Sequence, residues 1–361
     1  MNTKSVDLKL IANADREQKR EILRFLTDSR PELDKRELFY LIEALEKEES
    51  QAIKERIYLL LKKLLPESSF DILEKMLRSD DPFTRNAAVE MLKASSKCPT
   101  SHIKWLARDK DKDVRKLAID AISSDKSPEA IAIIRERLND DEINIVTTAV
   151  EYLGNVEDKE SARDIEKLLL ESENKFLQCS CLEALSKIGI SPNHRKIIDR
   201  FSKDTDPLIN FSYLRYVAEF GTETNLETIS ELMGNHPGLF VREALDAIEK
   251  IVTRHNVKKL PSSLQAILEN IIENTDKGNQ KYQALKILSQ VGDKGLREKV
   301  RDMINSDDEM LRLSAIEILA DCGVEEDIEL LEAVAEDAED GEVLEAIGDA
   351  VIKIQNRIES Q

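Results

Sequence analysis

The chain has 361 residues, 35% of them charged and 4% aromatic, with nine prolines, eleven glycines and a formal net charge of -19. Such a composition favours helix and supplies an extended apolar core, and it argues against nucleic acid as ligand, since a polyanion needs a basic stripe. No run of about 20 apolar residues exists to span a bilayer, and Met1 to Asp7 lack the apolar stretch of a signal peptide, so a cytoplasmic protein without membrane insertion is expected.

From the N-terminus onward one pattern returns about every 31 residues: an apolar residue, a position that is often arginine, two variable residues, a small residue, and a large apolar residue four further on. The arginine position falls at 19, 54, 85, 115, 146, 178, 210, 241, 281, 312 and 344. The clearest copies are Thr84-Arg85 with Ala88 and Leu92, Val114-Arg115 with Ala118 and Ile122, and Leu311-Arg312 with Ala315 and Leu319. Ile53-Lys54, Ile145-Val146, Leu177-Gln178, Ile209-Asn210 and Phe240-Val241 begin weaker ones. Within a unit, Phe70 to Leu77 carries apolar residues at helical spacing, Arg78 to Pro82 breaks the pattern, and Phe83 to Leu92 resumes it. Each unit therefore reads as helix, turn, helix. The turns are acidic (Asp80 and Asp81, Asp109, Asp111 and Asp113, Asp140 and Asp141, Asp204 and Asp206, Asp307 and Asp308), as capping of the next helix requires. Pro82 and Pro207 fall where that helix begins and a missing N–H does no harm. A repeat of this size predicts an all-α solenoid of about eleven units forming one elongated domain, because no unit can bury its apolar stripe alone.

This combination of turn aspartate, Val-Arg and alanine resembles the HEAT repeat, in particular the short bacterial type related to phycobilisome-lyase repeats, from about residue 8 to about residue 355. The resemblance implies that the motif arginines Arg85, Arg115 and Arg312 bond to turn aspartates in a structural ladder. The family includes scaffolds, adaptors, chromophore lyases and a few DNA-repair enzymes, so it implies a fold more than an activity.

Chemistry-bearing residues are scattered. Cys98, Cys179, Cys181 and Cys322 lack zinc-ligand spacing, and His102, His194, His236 and His255 lie in different units, so no metal or other cofactor is expected. Nor does the chain hold a nucleotide-binding glycine loop or a nucleophile elbow. Lys104, Arg108, Lys110, Lys112, Arg115 and Lys116 cluster around Trp105, the only tryptophan, but interleaved aspartates Asp109, Asp111 and Asp113 nearly neutralise them. The chain reads as non-enzymatic: a scaffold or adaptor that holds a protein or peptide partner on its second helices, or a regulatory subunit. A bilin-lyase-like or DNA-repair-like enzyme is the remaining, weaker reading.

Two regions stand out as candidate docking surfaces. The unit at 204–221 departs from the pattern with Asn210, Phe211, Tyr213 and Tyr216, next to Phe240 and Arg242; such aromatic and arginine side chains commonly anchor interfaces, and the alternative is that Tyr213 fills an inter-helix gap and Phe211 is core. Residues 301–361 hold 4 basic and 19 acidic side chains, including Glu325, Glu326, Asp327, Glu336, Asp337 and Asp340. They form either an acidic cap or a dock for a basic partner. One step, from 241 to 281, is too long, which suggests a bend or break in the array near 253–262.

Overall fold

The computed structural model describes residues 8–66, 69–94, 100–292, 295–306, 309–338 and 340–359. Cys98, Asp307 and Asp308 lie outside these, as does the side chain of Asp337. The described residues form 21 α-helices, three short 3-10 segments and no strand. The chain packs as two compact units, 1–161 and 162–361. The division falls at Ser161 and Ala162, not at the inserted stretch, which lies inside the second unit.

The first unit begins with a 3-10 turn, Leu8–Asn13, followed by α1 (Arg16–Ser29), α2 (Lys35–Lys47), α3 (Gln51–Leu64), α4 (Phe70–Leu77), α5 (Pro82–Ala94), α6 (Thr100–Leu106), α7 (Lys112–Ala121), α8 (Pro128–Glu136) and α9 (Ile143–Asn155). The second holds α10 (Ala162–Glu171), α11 (Lys175–Ile188), α12 (His194–Phe201), α13 (Pro207–Phe220), α14 (Asn225–Asn235), α15 (Val241–His255), α16 (Ser262–Asn274), α17 (Gly278–Gln290), α18 (Leu296–Met303), α19 (Glu309–Cys322), α20 (Glu325–Asp337) and α21 (Gly341–Glu359). Every odd-numbered helix carries one of the eleven marked positions, so the period read from the sequence is the spacing of second helices. In the second unit α11, α13, α15, α17, α19 and α21 pack side by side in that order, each against the even-numbered helix before it. This is an α-solenoid.

The small residue three positions after seven of the eleven marks explains the close stacking there. Ala88, Ala118, Ala149, Cys181, Ala244, Ala284 and Ala315 are all fully buried. The marked residue itself locks its own turn: Arg85 donates to Ser79 O at 2.7 Å, Arg115 to Asp109 O at 2.9 Å, and Gln178 to Ser172 O at 2.7 Å. Arg115 then reaches the next turn, where its fork grips both Asp140 oxygens at 2.8 and 2.9 Å. Lys19 on Glu48 and Lys54 on Asp81 repeat that step at 2.8 and 2.7 Å. Turn aspartates cap as expected: Asp81 accepts from Thr84 N, Asp111 from Asp113 N, and Asp206 from Leu208 N. Pro82 and Pro207 are the first residues of α5 and α13.

The inserted residues lengthen α15 to 15 residues and end it at Asn256 in the left-handed region, φ 49°. Val257 and Leu260 then bury before α16. The extra sequence is thus packed into the array.

Candidate protein-docking groove

A second-helix surface of the last three repeats forms an open groove of about 760 Å3. Leu313, Ser314, Glu317 and Ala320 of α19 form one side. Ala346, Asp349, Ala350, Ile352, Lys353 and Asn356 of α21 form the other, and Tyr282 of α17 stands at the α19 edge. The repeat register produces this shape. Residues spaced at three and four on α19 and α21 face solvent in two parallel ridges, and Ser314, Ala346 and Ala350 leave the floor between them low. Ile352 is 58% exposed, a large apolar side chain with water over most of it.

The ridges are acidic. Tyr282 donates from its hydroxyl to Glu317 Oε2 at 3.0 Å, which aims that carboxylate along the groove edge. Burial, with help from the Glu317 charge, pushes the Tyr282 phenol above its ordinary range, so it stays a donor. Lys353, the only cation among the lining residues, is held 2.6 Å from Asp321. Asp349 and Glu345 have no ion pair among the described residues. The groove therefore offers an apolar floor between margins where the lining carboxylates, Glu317 and Asp349, have no ion pair of their own among the described residues, and the nearby Lys286 is held 3.0 Å from Glu249.

The residues singled out at 204–221 are not brought together on a surface. Tyr213 and Tyr216 are 0% exposed and Asn210 is buried with them, so these three are corrected from surface anchors to core. The reason is register: Tyr213 occupies the position that is alanine in most other repeats, and Tyr216 the one held by Ala184, Ala247 and Ile287, all buried. Tyr216 donates to Ser191 Oγ at 2.5 Å, and Ser191 donates on to Glu166 Oε1 at 2.6 Å. Asn193 adds backbone and side-chain N–H bonds of 2.9 and 2.7 Å to the same buried carboxylate. This network fastens α10, the turn before α12, and α13. Phe211 is half-buried beneath the Arg215 guanidinium at 4.8 Å, Phe240 is half-buried in the left-handed region at φ 59°, and Arg242 is exposed.

Among the acidic candidates, Asp327 is corrected in the same way. It is fully buried, accepting from Arg301 Nε at 2.5 Å and from Val324 N at 2.8 Å, and so it fixes the start of α20. Glu325, Glu326 and Glu336 are exposed and Asp340 is half-buried.

The basic cluster at Trp105 is neutralised, though chiefly by acids of the following repeat. Arg108 donates to Glu136 at 2.7 and 2.9 Å, Lys104 lies 3.5 Å from the same carboxylate, and Lys112 lies 3.6 Å from Glu142. Among the described residues no three His, Cys, Asp or Glu side chains converge as a metal would require. No helix there is long and apolar enough to cross a membrane.

Sequence reading missed the groove because α21 has no Val-Arg motif and its floor is made of alanines. It also missed an exposed row at the start of three successive second helices, Phe176 (72% exposed), Leu208 and Leu239, each two residues before a mark. That row consists of single side chains about 10 Å apart, the spacing of packed helices.

The sequence model of HEAT repeats matches residues 99–186 and 264–352. The chain carries HEAT repeats in both stretches. Its groove lies within the second matched stretch. None of the curated proteins compared matches this HEAT-repeat chain. Among solved structures it is similar to an engineered protein determined crystallographically by the Northeast Structural Genomics Consortium. The two share 17% identity at a TM-score of 0.50, over 98% of this chain and 99% of that one. At that identity the likeness concerns the fold alone.

Proposed function

We propose that this chain is a non-catalytic scaffold that holds a protein partner on its second-helix surface. The observation that carries the reading is the open apolar groove between α19 and α21, with Ile352 exposed and Leu313 half-buried at its rim. Concave apolar surfaces rimmed by polar groups are where soluble proteins bind partners. HEAT repeats commonly serve such interactions. The acids that could suggest catalysis are spent: Asp140 on Arg115, Asp158 on Arg135, Glu166 on Ser191 and Asn193.

The test is affinity capture from the native extract with the intact chain and with a Leu313→Glu/Ile352→Glu variant of matched helicity. The expected result is one stoichiometric protein retained by the parent chain and lost from the variant. Recovery of nucleic acid or pigment without protein, or of the same protein by both chains, would overturn the reading.

A further inference from the structure

We infer that the occupant of the α19–α21 groove is a short amphipathic helix with a cationic polar face. The inference rests on the scaffold reading and adds the chemical class of the partner.

Length selects a helix. The lining residues run from Leu313 to Ala320 on one ridge and from Ala346 to Asn356 on the other, about 10 and 15 Å at 1.5 Å per residue. Two to three turns of helix fit that span and can seat side chains at i, i+3, i+4 and i+7 on one floor. An extended strand would cover it with only four or five residues, alternate ones pointing away. The floor of Ser314, Ala346 and Ala350 is the small-residue surface that lets a third helix approach two packed ones, as Ala244 and Ala315 do within the core. Ile352 and Leu313 would lie against the apolar stripe of that helix.

Charge selects its sign. Glu317 on one ridge and Asp349 on the other flank the floor, Glu345 stands one helical turn before Asp349 on α21, and Lys353 is occupied by Asp321. An anionic helix would place like charges against these carboxylates at helix-contact distance. A cationic one would pair with them and be steered by the surplus of 19 acidic over 4 basic side chains in residues 301–361. Because Glu317 is already oriented by Tyr282, its side chain has little conformational freedom left to lose on pairing.

The probe is a labelled 14-residue synthetic helix of leucine and lysine in amphipathic order, titrated into the full chain and followed by fluorescence anisotropy. A leucine–glutamate helix of the same pattern is the control. The lysine helix should bind with an affinity that falls as salt rises, and the glutamate helix should not. Neutralising the groove by Glu317→Gln/Glu345→Gln/Asp349→Asn should weaken binding at least about tenfold. An equal change of net charge on α20, Glu325→Gln/Glu326→Gln/Glu329→Gln, should weaken it less than about twofold. Equal losses in the two triple variants would overturn the inference, since attraction to overall charge would then explain binding. Binding of both helices alike would overturn it too. If the captured natural partner depends on Leu313 and Ile352 yet the lysine helix does not displace it, the scaffold reading stands and the cationic helix falls.

Discussion

At the scale of single residues, position in the repeat outranks residue type. Tyr213 reads as an interface anchor by its chemistry, but its register places it among Cys181, Ala244 and Ala284, where every side chain is buried. The two core tyrosines should respond differently to loss of the hydroxyl. Tyr213 has no protein partner for its oxygen, whereas Tyr216 donates to Ser191. Tyr213→Phe should therefore be neutral or slightly stabilising, and Tyr216→Phe should cost about 1 kcal/mol. Tyr213→Ala should cost about 3–5 kcal/mol through the cavity it leaves. Chemical denaturation followed by circular dichroism measures all three, and a larger loss for Tyr213→Phe than for Tyr216→Phe would contradict the assignment. The exposed side chain at the groove, Ile352, has no such motif around it. An isolated isoleucine or phenylalanine in a helical pattern reads as core.

At the scale of helices, arginines late in one helix close the end of its neighbour. Arg254 of α15 donates to Ala218 O at 2.6 Å and Gly221 O at 3.3 Å of the α13 terminus. Arg357 of α21 does the same to α19, reaching Ala320 O at 3.1 Å, Gly323 O at 2.5 Å and Asp321 O. Gly221 and Gly323 occupy equivalent positions, where a Cβ would come within 2.4 and 2.6 Å of the carbonyls of Val217 and Leu319. The chain end can thus turn tightly and present its oxygens to the arginine. In the first-helix layer, Arg137 reaches Ala107 O at 2.7 Å and Arg200 reaches Leu170 O. Cations on the negative end of a helix and charged hydrogen bonds each stabilise, so Arg357→Ala should cost about 1–3 kcal/mol. Arg357→Lys should recover only part of this, because it keeps the charge and loses the fork. Amide hydrogen exchange in the last turn of α19 reads the effect locally, and unchanged protection in the alanine variant would refute it. These partners are backbone carbonyls, which have no sequence signature. The turn aspartates, which cap adjacent N–H groups, are legible directly.

At the scale of the molecule, the paired carboxylates predict how stability depends on pH. Arg78 beside Asp109, and Lys35 beside Asp71, hold those carboxyls below their usual range. For Asp81, Asp140 and Asp158 burial pushes upward, but the bonds from Lys54, Arg115 and Arg135 outweigh it and the net shift is again downward. A carboxylate with a depressed folded pKa adds stability above its unfolded value of about 4 and loses it as pH falls through the folded pKa. Between pH 7 and 5 partial neutralisation of the -19 charge relieves self-repulsion and works the other way. The thermal midpoint should hold or rise slightly to pH 5 and then fall below about pH 4. A midpoint that stays level down to pH 3 would mean that these pairs contribute nothing.

The sequence by itself determined the helix pairs, their number, their turns and their family, because each depends on contacts within about one repeat: capping aspartates, N1 prolines, an alanine where helices meet. Tertiary structure decided which apolar and charged groups remain free. That depends on the neighbouring repeat: Asp327 is buried by Arg301, Glu136 absorbs Arg108 and Lys104, and Tyr216 turns inward to Ser191. The α19–α21 groove exists for the same reason, since its floor and its two acidic ridges come from helices about 30 residues apart that only packing brings side by side.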